Sequence, residues 1–456
     1  MARKPHLILI PLAAQGHVAP MMKLAYNLVH HGIKVTFVNT LSMHEKIMSA
    51  LPQKLEEVHS LLSLVSIPEL LKSDTPGKDR MDEVAENASR FLQTQLQNLI
   101  QNINEDGHEV THVIGDVTIS WALKVANQMG IKAVGFVPYG LANFSLVLHI
   151  HKLIENGIID VNGMLKEGSI CLSKEIPAWD TQNLLWRYPY DGELQKFLFR
   201  HFFYNAPEDV KCCNTILANS FYELETAACN LIPNILPIGP LFSRYFLGAF
   251  AGNMWAEDSS CLSWLDQQSS GSVIYAAFGS SVFCSQEQFN ELAIAFEMTG
   301  RPFLWVVRSD FSEGIAAKFP QGFNSGNHGK IVEWAPQEKV LAHPSIGCFF
   351  SHSGWNSTME GVSKGVPFLC WPYLADQFRN QDDICNTWRI GLKVIPDENG
   401  IVTRHEIKSK IEKLLGDENI KANSLKLKEL AVENMREEGS SFMNFKSFID
   451  QIQIQQ

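Results

Sequence analysis

Short apolar runs alternate along this chain with segments of helical periodicity. "HLILIPL" from His6 is continuously apolar, Met21, Leu24, Ala25 and Leu28 then recur at helical spacing, and "KVTFVNT" from Lys34 returns to strand character. Strand, helix and strand at this spacing predict a βαβ unit. Strands this apolar are what a parallel sheet covered on both faces requires. "HVIGD" from His112, the helical "WALKVANQMG" and "KAVGFVP" repeat the alternation. The first half is therefore expected to form a doubly wound sheet with ligands beyond the carboxyl ends of its strands.

The pattern lapses over "GPLFSRYFLGAFAGNMWAEDSS", which reads as an interdomain linker. It then resumes with "SVIYAAFGS", "FLWVVR", "GCFFSH", "PFLCWP" and "GLKVIP" as strands. Ser285 with Gln288 predicts a capping box, opening a helix whose inner face carries Phe289, Leu292, Ala293 and Phe296. A second α/β unit is the natural reading, because 456 residues exceed what a single core usually holds. At the end of the chain, Phe442, Phe445 and Phe448 again recur at roughly helical spacing.

Composition narrows the classes. Hydrophobic content of 45% and charged content of 19% describe an ordinary globular protein. A net charge of −11 argues against a general nucleic-acid binder, which neutralises phosphates with basic patches. Nine cysteines, an odd number without C-x-x-C spacing, fit reduced thiols in a cytoplasmic protein. The opening "MARKPHLILIPLAAQGH" mimics a signal peptide, but its apolar run is short and a helical pattern follows directly, so it reads as a first strand. No apolar run approaches the ~20 residues of a membrane helix, and membrane insertion is not expected.

One polar turn interrupts the second half. "SHSGWNST" from Ser351 joins the strand "GCFFSH" to a helix starting near Trp355 or Asn356. A helix N-terminus offers backbone N–H groups and partial positive charge to phosphate oxygens, and Gly354 lets a ligand approach closely. Taken alone, the turn is explained equally well by Ser353 or Asn356 capping the helix, with His352 filling space.

The surroundings change that balance. From Trp334 to Gln377 the chain reads WAPQEKVLAHPSIGCFFSHSGWNSTMEGVSKGVPFLCWPYLADQ. Over its full length this stretch resembles the signature box of plant secondary-product UDP-glycosyltransferases, with W-x-P-Q, H-x-G-W-N-S, E-G and D-Q in order. "AQGHVAP", "ANSFYELE", "PIGPL", "CLSWLDQQ" and "FGS" extend the resemblance over essentially the whole chain.

The resemblance implies an α/β GT-B fold, two Rossmann-like domains with parallel sheets facing a central cleft. It sets an N-terminal acceptor domain at 1–243, a linker at 244–258, a C-terminal UDP-sugar domain at 259–437, and a tail helix at 438–456 returning to the first domain. A dimer contact is the alternative for that tail, although a monomer is expected. Trp334 would stack on uracil, the Ala335 backbone would read the base edge, and Gln337 and Glu360 would bind ribose hydroxyls. Ser280, His352, Gly354, Asn356 and Ser357 would form the diphosphate cradle, and Trp355, Asp376 and Gln377 would face the sugar. No bound cofactor is implied, with UDP-glucose serving as co-substrate. No P-loop, dinucleotide fingerprint or D-x-D sequence occurs, so a helix terminus and neutral donors would replace a metal.

His17 follows the first strand, where α/β folds present reactive groups, although a histidine at a helix start is often structural. The resemblance makes it the general base, with Asp116 orienting it and stabilising its cation. An N-cap role for Asp116 can coexist with that one. The implied reaction inverts an α-linked donor to a β-glycoside of a small hydrophobic acceptor such as a flavonoid, phenolic or terpenoid. C-, N- or S-glycosylation, or a non-catalytic UDP-sugar-binding protein, are the alternatives. Tyr139, Phe144 and Trp186 are candidate acceptor contacts, with core packing as the competing role.

Overall fold

Thirteen strands in two sheets organise the described residues. The computed structural model describes residues 5–50, 60–69, 81–242, 254–309, 311, 318–323, 326 and 328–454. The chain divides into one unit of Met1–Trp255 with Asn434–Gln456, and a second of Ala256–Glu433. That division falls within the stretch expected as a linker, of which residues 244–253 lie outside the described residues.

The first unit holds β1 (His6–Ile10), β2 (Lys34–Thr40), β3 (Leu62–Ile67), β4 (His112–Asp116), β5 (Lys132–Val137), β6 (Thr215–Ala218) and β7 (Ile235–Pro237). They lie in the order β3-β2-β1-β4-β5-β6-β7, every pair parallel. Each residue of β1 and β4 is buried, as central strands covered on both faces must be. Helix Gln15–His30 packs Val18, Met21, Leu24, Ala25 and Leu28 against Leu7, Leu9, Val35 and Phe37. Phe448, Ile449 and Ile452 of the last helix, Ser440–Ile454, join the same core, and Asn444 Nδ2 donates to the Pro237 carbonyl at 2.9 Å. Burying each such side chain stabilises by about 1.5–3 kcal/mol. Phe445 is only partly buried, its ring meeting His31 edge-on.

The second unit holds β8 (Val273–Ala277), β9 (Phe303–Val306), β10 (Gly329–Val332), β11 (Ile346–Ser351), β12 (Phe368–Cys370) and β13 (Gly391–Lys393), parallel in the order β10-β9-β8-β11-β12-β13. Phe289, Leu292, Ala293 and Phe296 line the buried face of helix Gln286–Thr299. Only half of the expected capping box forms. Ser285 accepts from the Gln288 N–H, but the Gln288 side chain exchanges two hydrogen bonds with the Val402 backbone and does not reach back. A tertiary partner outbids the local one. Among the described residues no helix is long and apolar enough to cross a membrane.

Both sheets reverse their winding at one point, between β1 and β4 in the first and between β8 and β11 in the second. Crossovers leave such neighbouring strands in opposite directions, which opens a crevice beyond their carboxyl ends.

Two histidines at the amino ends of the first sheet tie its folding to pH. His6 Nδ1 lies 3.0 Å from the His108 carbonyl and its Nε2 lies 2.9 Å from Thr36 Oγ1, an arrangement that suits a neutral ring. Burial lowers the pKa of His6, and burial followed by the charge of Lys132 lowers that of His112 to about 4. The unfolded chain takes up the His112 proton near the ordinary value of 6.5, so it binds more protons between that value and about 4. Stability should therefore fall as pH drops through this window. The urea midpoint is expected to be lower at about pH 5 than at about pH 7.5, and His112→Gln to shrink the difference. An unchanged difference would remove His112 from the account.

Candidate active site

His17 and Asp116 meet at the switch point of the first sheet. Asp116 is the last residue of β4, and His17 lies in the first turn of helix Gln15–His30, reached from β1 by a short loop. His17 Nδ1 is 2.6 Å from Asp116 Oδ2, with the imidazole side chain 22% exposed and the carboxylate fully buried. Leu12 N–H also donates to Oδ2 at 3.2 Å, and Thr118 N–H donates to Oδ1 at 2.9 Å. Burial alone would raise the Asp116 pKa, but the charge and hydrogen bond of His17, with the two backbone donors, outweigh it and hold the carboxyl below its ordinary value. Asp116 also caps the short 3₁₀ turn Val117–Ile119, so its two expected roles coexist.

The three candidate acceptor aromatics are all buried. Phe144 is 0% exposed and Trp186 is 1% exposed. The Trp186 indole donates to the Gly163 carbonyl at 2.8 Å and meets Phe199 edge-on. Tyr139 is buried too, its ring 6.4 Å from that of Phe144. These residues form the interior of the first unit, and none presents an open aromatic face. Their burial fits core packing, the role that the sequence reading set beside acceptor contact.

At the switch point of the second sheet, β8 leads to Gly279 and Ser280, and β11 leads to His352 and helix Trp355–Lys364. Gly354 is the N-cap of that helix, with no side chain capping it and no acidic residue in its first turn. Neither Ser353 nor Asn356 acts as the cap. Helix N–H groups at such an end suit an anion. The His352 ring lies against the backbone here, since a Cβ on Gly279 or Gly354 would fall 2.5 or 2.4 Å from its Nε2. Burial, then the nearby charge of Arg308, pushes the His352 pKa down to about 4. His352 is therefore held neutral, with one ring nitrogen a donor and the other an acceptor.

Gln337, Ser357 and Glu360 form one hydrogen-bonded group. Gln337 Nε2 donates to Ser357 Oγ and to Glu360 Oε2, each at 2.8 Å, while the Tyr275 hydroxyl donates to Gln337 Oε1 at 3.1 Å. Both Gln337 amide hydrogens are thus spent. In this arrangement Gln337 positions Glu360, and a direct bond from its amide to a ribose hydroxyl would require one of these bonds to open. Gln337 begins the helix Gln337–Leu341, with buried Ala335 and half-buried Trp334 just before it. The Trp334 carbonyl accepts from Asp258 N–H at 2.9 Å. Trp355 is 3% exposed with its ring 6.4 Å from that of Trp388, so its indole is largely interior. Gln377 Oε1 accepts from the N–H groups of Tyr373 and Leu374 at 2.8 and 3.1 Å, which leaves its amide hydrogens to face a ligand. Asp376 is half-buried beside it.

The family model for UDP-glucoronosyl and UDP-glucosyl transferases matches residues 194–435. UDP-glycosyltransferase 83A1 of Arabidopsis thaliana is 37% identical over 99% of this chain and 97% of its own length. The chain belongs to the UDP-glycosyltransferase family. A 7-deoxyloganetin glucosyltransferase of Gardenia jasminoides is 32% identical, with 98% of each chain covered. Among solved structures, a UDP-glucosyltransferase from Polygonum tinctorium capable of glucosylating indoxyl superposes with a TM-score of 0.81 at 27% identity, covering 100% of both chains. The fold is thus GT-B, and the protein is a transferase that takes a UDP-sugar as co-substrate and passes its glycosyl group to a small metabolite.

Within this UDP-glycosyltransferase the sequence reading missed Tyr275 and Arg308. Arg308, 2% exposed, donates to the carbonyls of Gly279 and Val282, the latter at 3.0 Å, and lies over the rings of Phe283 and Phe311. It clamps the turn that carries Ser280. A strand-end arginine after an apolar run was the available signal, but its partners are remote in sequence. Among the described residues no cluster of three His, Cys, Asp or Glu side chains is placed to hold a metal ion.

The packing of His352 against glycine backbone is directly testable. Gly354→Ala retains an allowed N-cap backbone but drives a methyl into the imidazole. UDP affinity measured by calorimetry is expected to fall roughly tenfold or more, with only a small loss of thermal stability. Unchanged UDP affinity would detach His352 from the donor site.

Proposed function

We propose that this enzyme transfers glucose from UDP-glucose to a hydroxyl of a small hydrophobic plant metabolite, inverting the anomeric centre to give a β-glycoside. The 2.6 Å bond between His17 Nδ1 and Asp116 Oδ2 carries this reading. It pairs a partly exposed imidazole with a buried carboxylate, at the sheet edge where α/β folds do chemistry. Support for glucose comes from the relatives, one a 7-deoxyloganetin glucosyltransferase and another capable of glucosylating indoxyl. In the family that the signature box resembles, glutamine at its last position, here Gln377, goes with glucose. Nine free thiols suit a cytoplasmic location.

Asp116 holds the Nδ1–H tautomer and favours the imidazolium, and Nε2 takes the proton of the acceptor hydroxyl. The acceptor oxygen forms a bond to the anomeric carbon as the bond from that carbon to the UDP oxygen breaks. UDP leaves with the electron pair. The proton remains on His17 until solvent removes it. Growing negative charge on the diphosphate is met by the N-terminus of helix Trp355–Lys364, neutral His352 and the hydroxyl and amide groups of Ser280, Asn356 and Ser357. Glu360 accepts from ribose hydroxyls, Trp334 stacks on uracil with the Ala335 backbone at its edge, and Asp376 with Gln377 faces the sugar.

Variants at the catalytic pair separate chemistry from binding. His17→Ala is expected to lower kcat for transfer from UDP-glucose to a phenolic acceptor by about 10²–10⁴-fold, with UDP affinity nearly unchanged. Asp116→Asn should also depress kcat, because an amide does not stabilise the cation. Parallel loss of UDP affinity in His17→Ala would sink the base assignment. Ready acid hydrolysis of the product is expected of an O-glycoside, whereas a resistant product would mean C-glycosylation.

A further inference from the structure

Asn380 touches both ends of the proposed donor site. It lies in helix Gln377–Asp382 and is 1% exposed. Its Nδ2 donates to the Ser353 carbonyl at 2.9 Å and to Asp376 Oδ2 at 2.9 Å. An amide nitrogen carries two hydrogens, so these two bonds exhaust its donors. One hydrogen holds the turn assigned to the diphosphate. The other holds the carboxylate assigned to the sugar.

The backbone at both contacts is strained. Ser353 has φ of 63° and Ala375, just before Asp376, has φ of 54°, in the left-handed region that side-chain-bearing residues seldom adopt. Such conformations persist where several contacts over-determine them, and they concentrate at functional sites. Ser353 is fully buried, its N–H donating to Ser351 Oγ at 3.1 Å, and its carbonyl accepting from Asn380 and, at 3.4 Å, from Thr358 Oγ1. On the other side, Gln377 Oε1 gathers the Tyr373 and Leu374 N–H groups and sets the turn before Ala375. Asn380 is the side chain that bonds to both turns.

We propose that Asn380 is a positioning residue that couples the diphosphate turn to Asp376, so that occupation of the phosphate site fixes the rotation of the carboxylate that recognises the sugar. This rests on the donor-site reading above. UDP alone uses the phosphate turn, whereas UDP-glucose uses the turn and Asp376 together. Loss of the bracket should therefore weaken recognition of the sugar more than recognition of the nucleotide. A role confined to holding the fold would weaken both equally.

The test is calorimetric titration of the full chain with UDP and with UDP-glucose. Asn380→Ala is expected to weaken UDP-glucose roughly tenfold or more beyond any weakening of UDP, the size expected for losing a charge-assisted hydrogen bond. In the Asp376→Ala background, the same substitution should add no further selective loss, because the carboxylate it orients is gone. Asn380→Ser keeps one donor and satisfies one of the two oxygens, and it carries the same comparison where the alanine variant does not fold. Equal factors for UDP and UDP-glucose would overturn the coupling, as would failure of both variants to fold. A wild-type protein binding neither ligand would instead overturn the donor-site reading itself.

Discussion

Everything assigned to chemistry here depends on where a parallel sheet reverses its winding. Right-handed crossovers leave neighbouring strands in opposite directions only once per sheet, and only there do the carboxyl ends stand clear of covering helices. In the first unit that place is β1 beside β4, and it holds His17 and Asp116. In the second it is β8 beside β11, and it holds Ser280 and the turn from His352 to Ser357. In each unit the remaining strands and the helices packed on them hold that edge in place. The buried apolar clusters behind them serve the same end.

The two edges solve opposite electrostatic problems. Asp116 is a fully buried charge, which is costly unless nearby groups compensate it, and two backbone donors with the adjacent imidazole do so. A carboxylate so held stays ionised and keeps the imidazole in one tautomer. At the second edge the proposed diphosphate would bring the negative charge, and the protein would answer mainly with neutral dipoles. His352 is neutral because it is buried and lies near Arg308, whose guanidinium bonds the carbonyls of the Ser280 turn. In a trans peptide the N–H points away from the C=O, so holding the Gly279 carbonyl turns the Ser280 N–H in the opposite direction. Preorganised dipoles need little rearrangement as charge develops on a leaving group.

Much of this was legible in the sequence, and the exceptions share a cause. The strands from "HLILIPL" to "GLKVIP" were readable because a strand buried on both faces leaves little choice but apolar residues. His17, Asp116 and the polar turn were readable because each lies at or shortly beyond the end of such a strand. Asn380, Tyr275 and Arg308 were not, since each acts through at least one partner that only folding brings near. Gln288 shows the same limit from the other side. Its spacing from Ser285 satisfies a local motif, yet its side chain bonds Val402, more than a hundred positions away.

Aromatic residues gave an ambiguous signal for a related reason. Phe144 and Trp186 have the shape and polarisability that a flat aglycone would need, but the same properties make them effective core residues, and their side-chain identity does not say which face of the fold they meet. Donor recognition is different in kind. The proposed donor contacts are concentrated in the 44 positions from Trp334 to Gln377, where loop, strand, turn and helix contribute in order and local spacing preserves their geometry. In an α/β unit, acceptor contacts come from loops after several strands, separated here by the long stretches between β1, β4 and β5. A contiguous site leaves its spacing in the chain, whereas a site assembled from distant loops leaves only residue types, which packing can claim first.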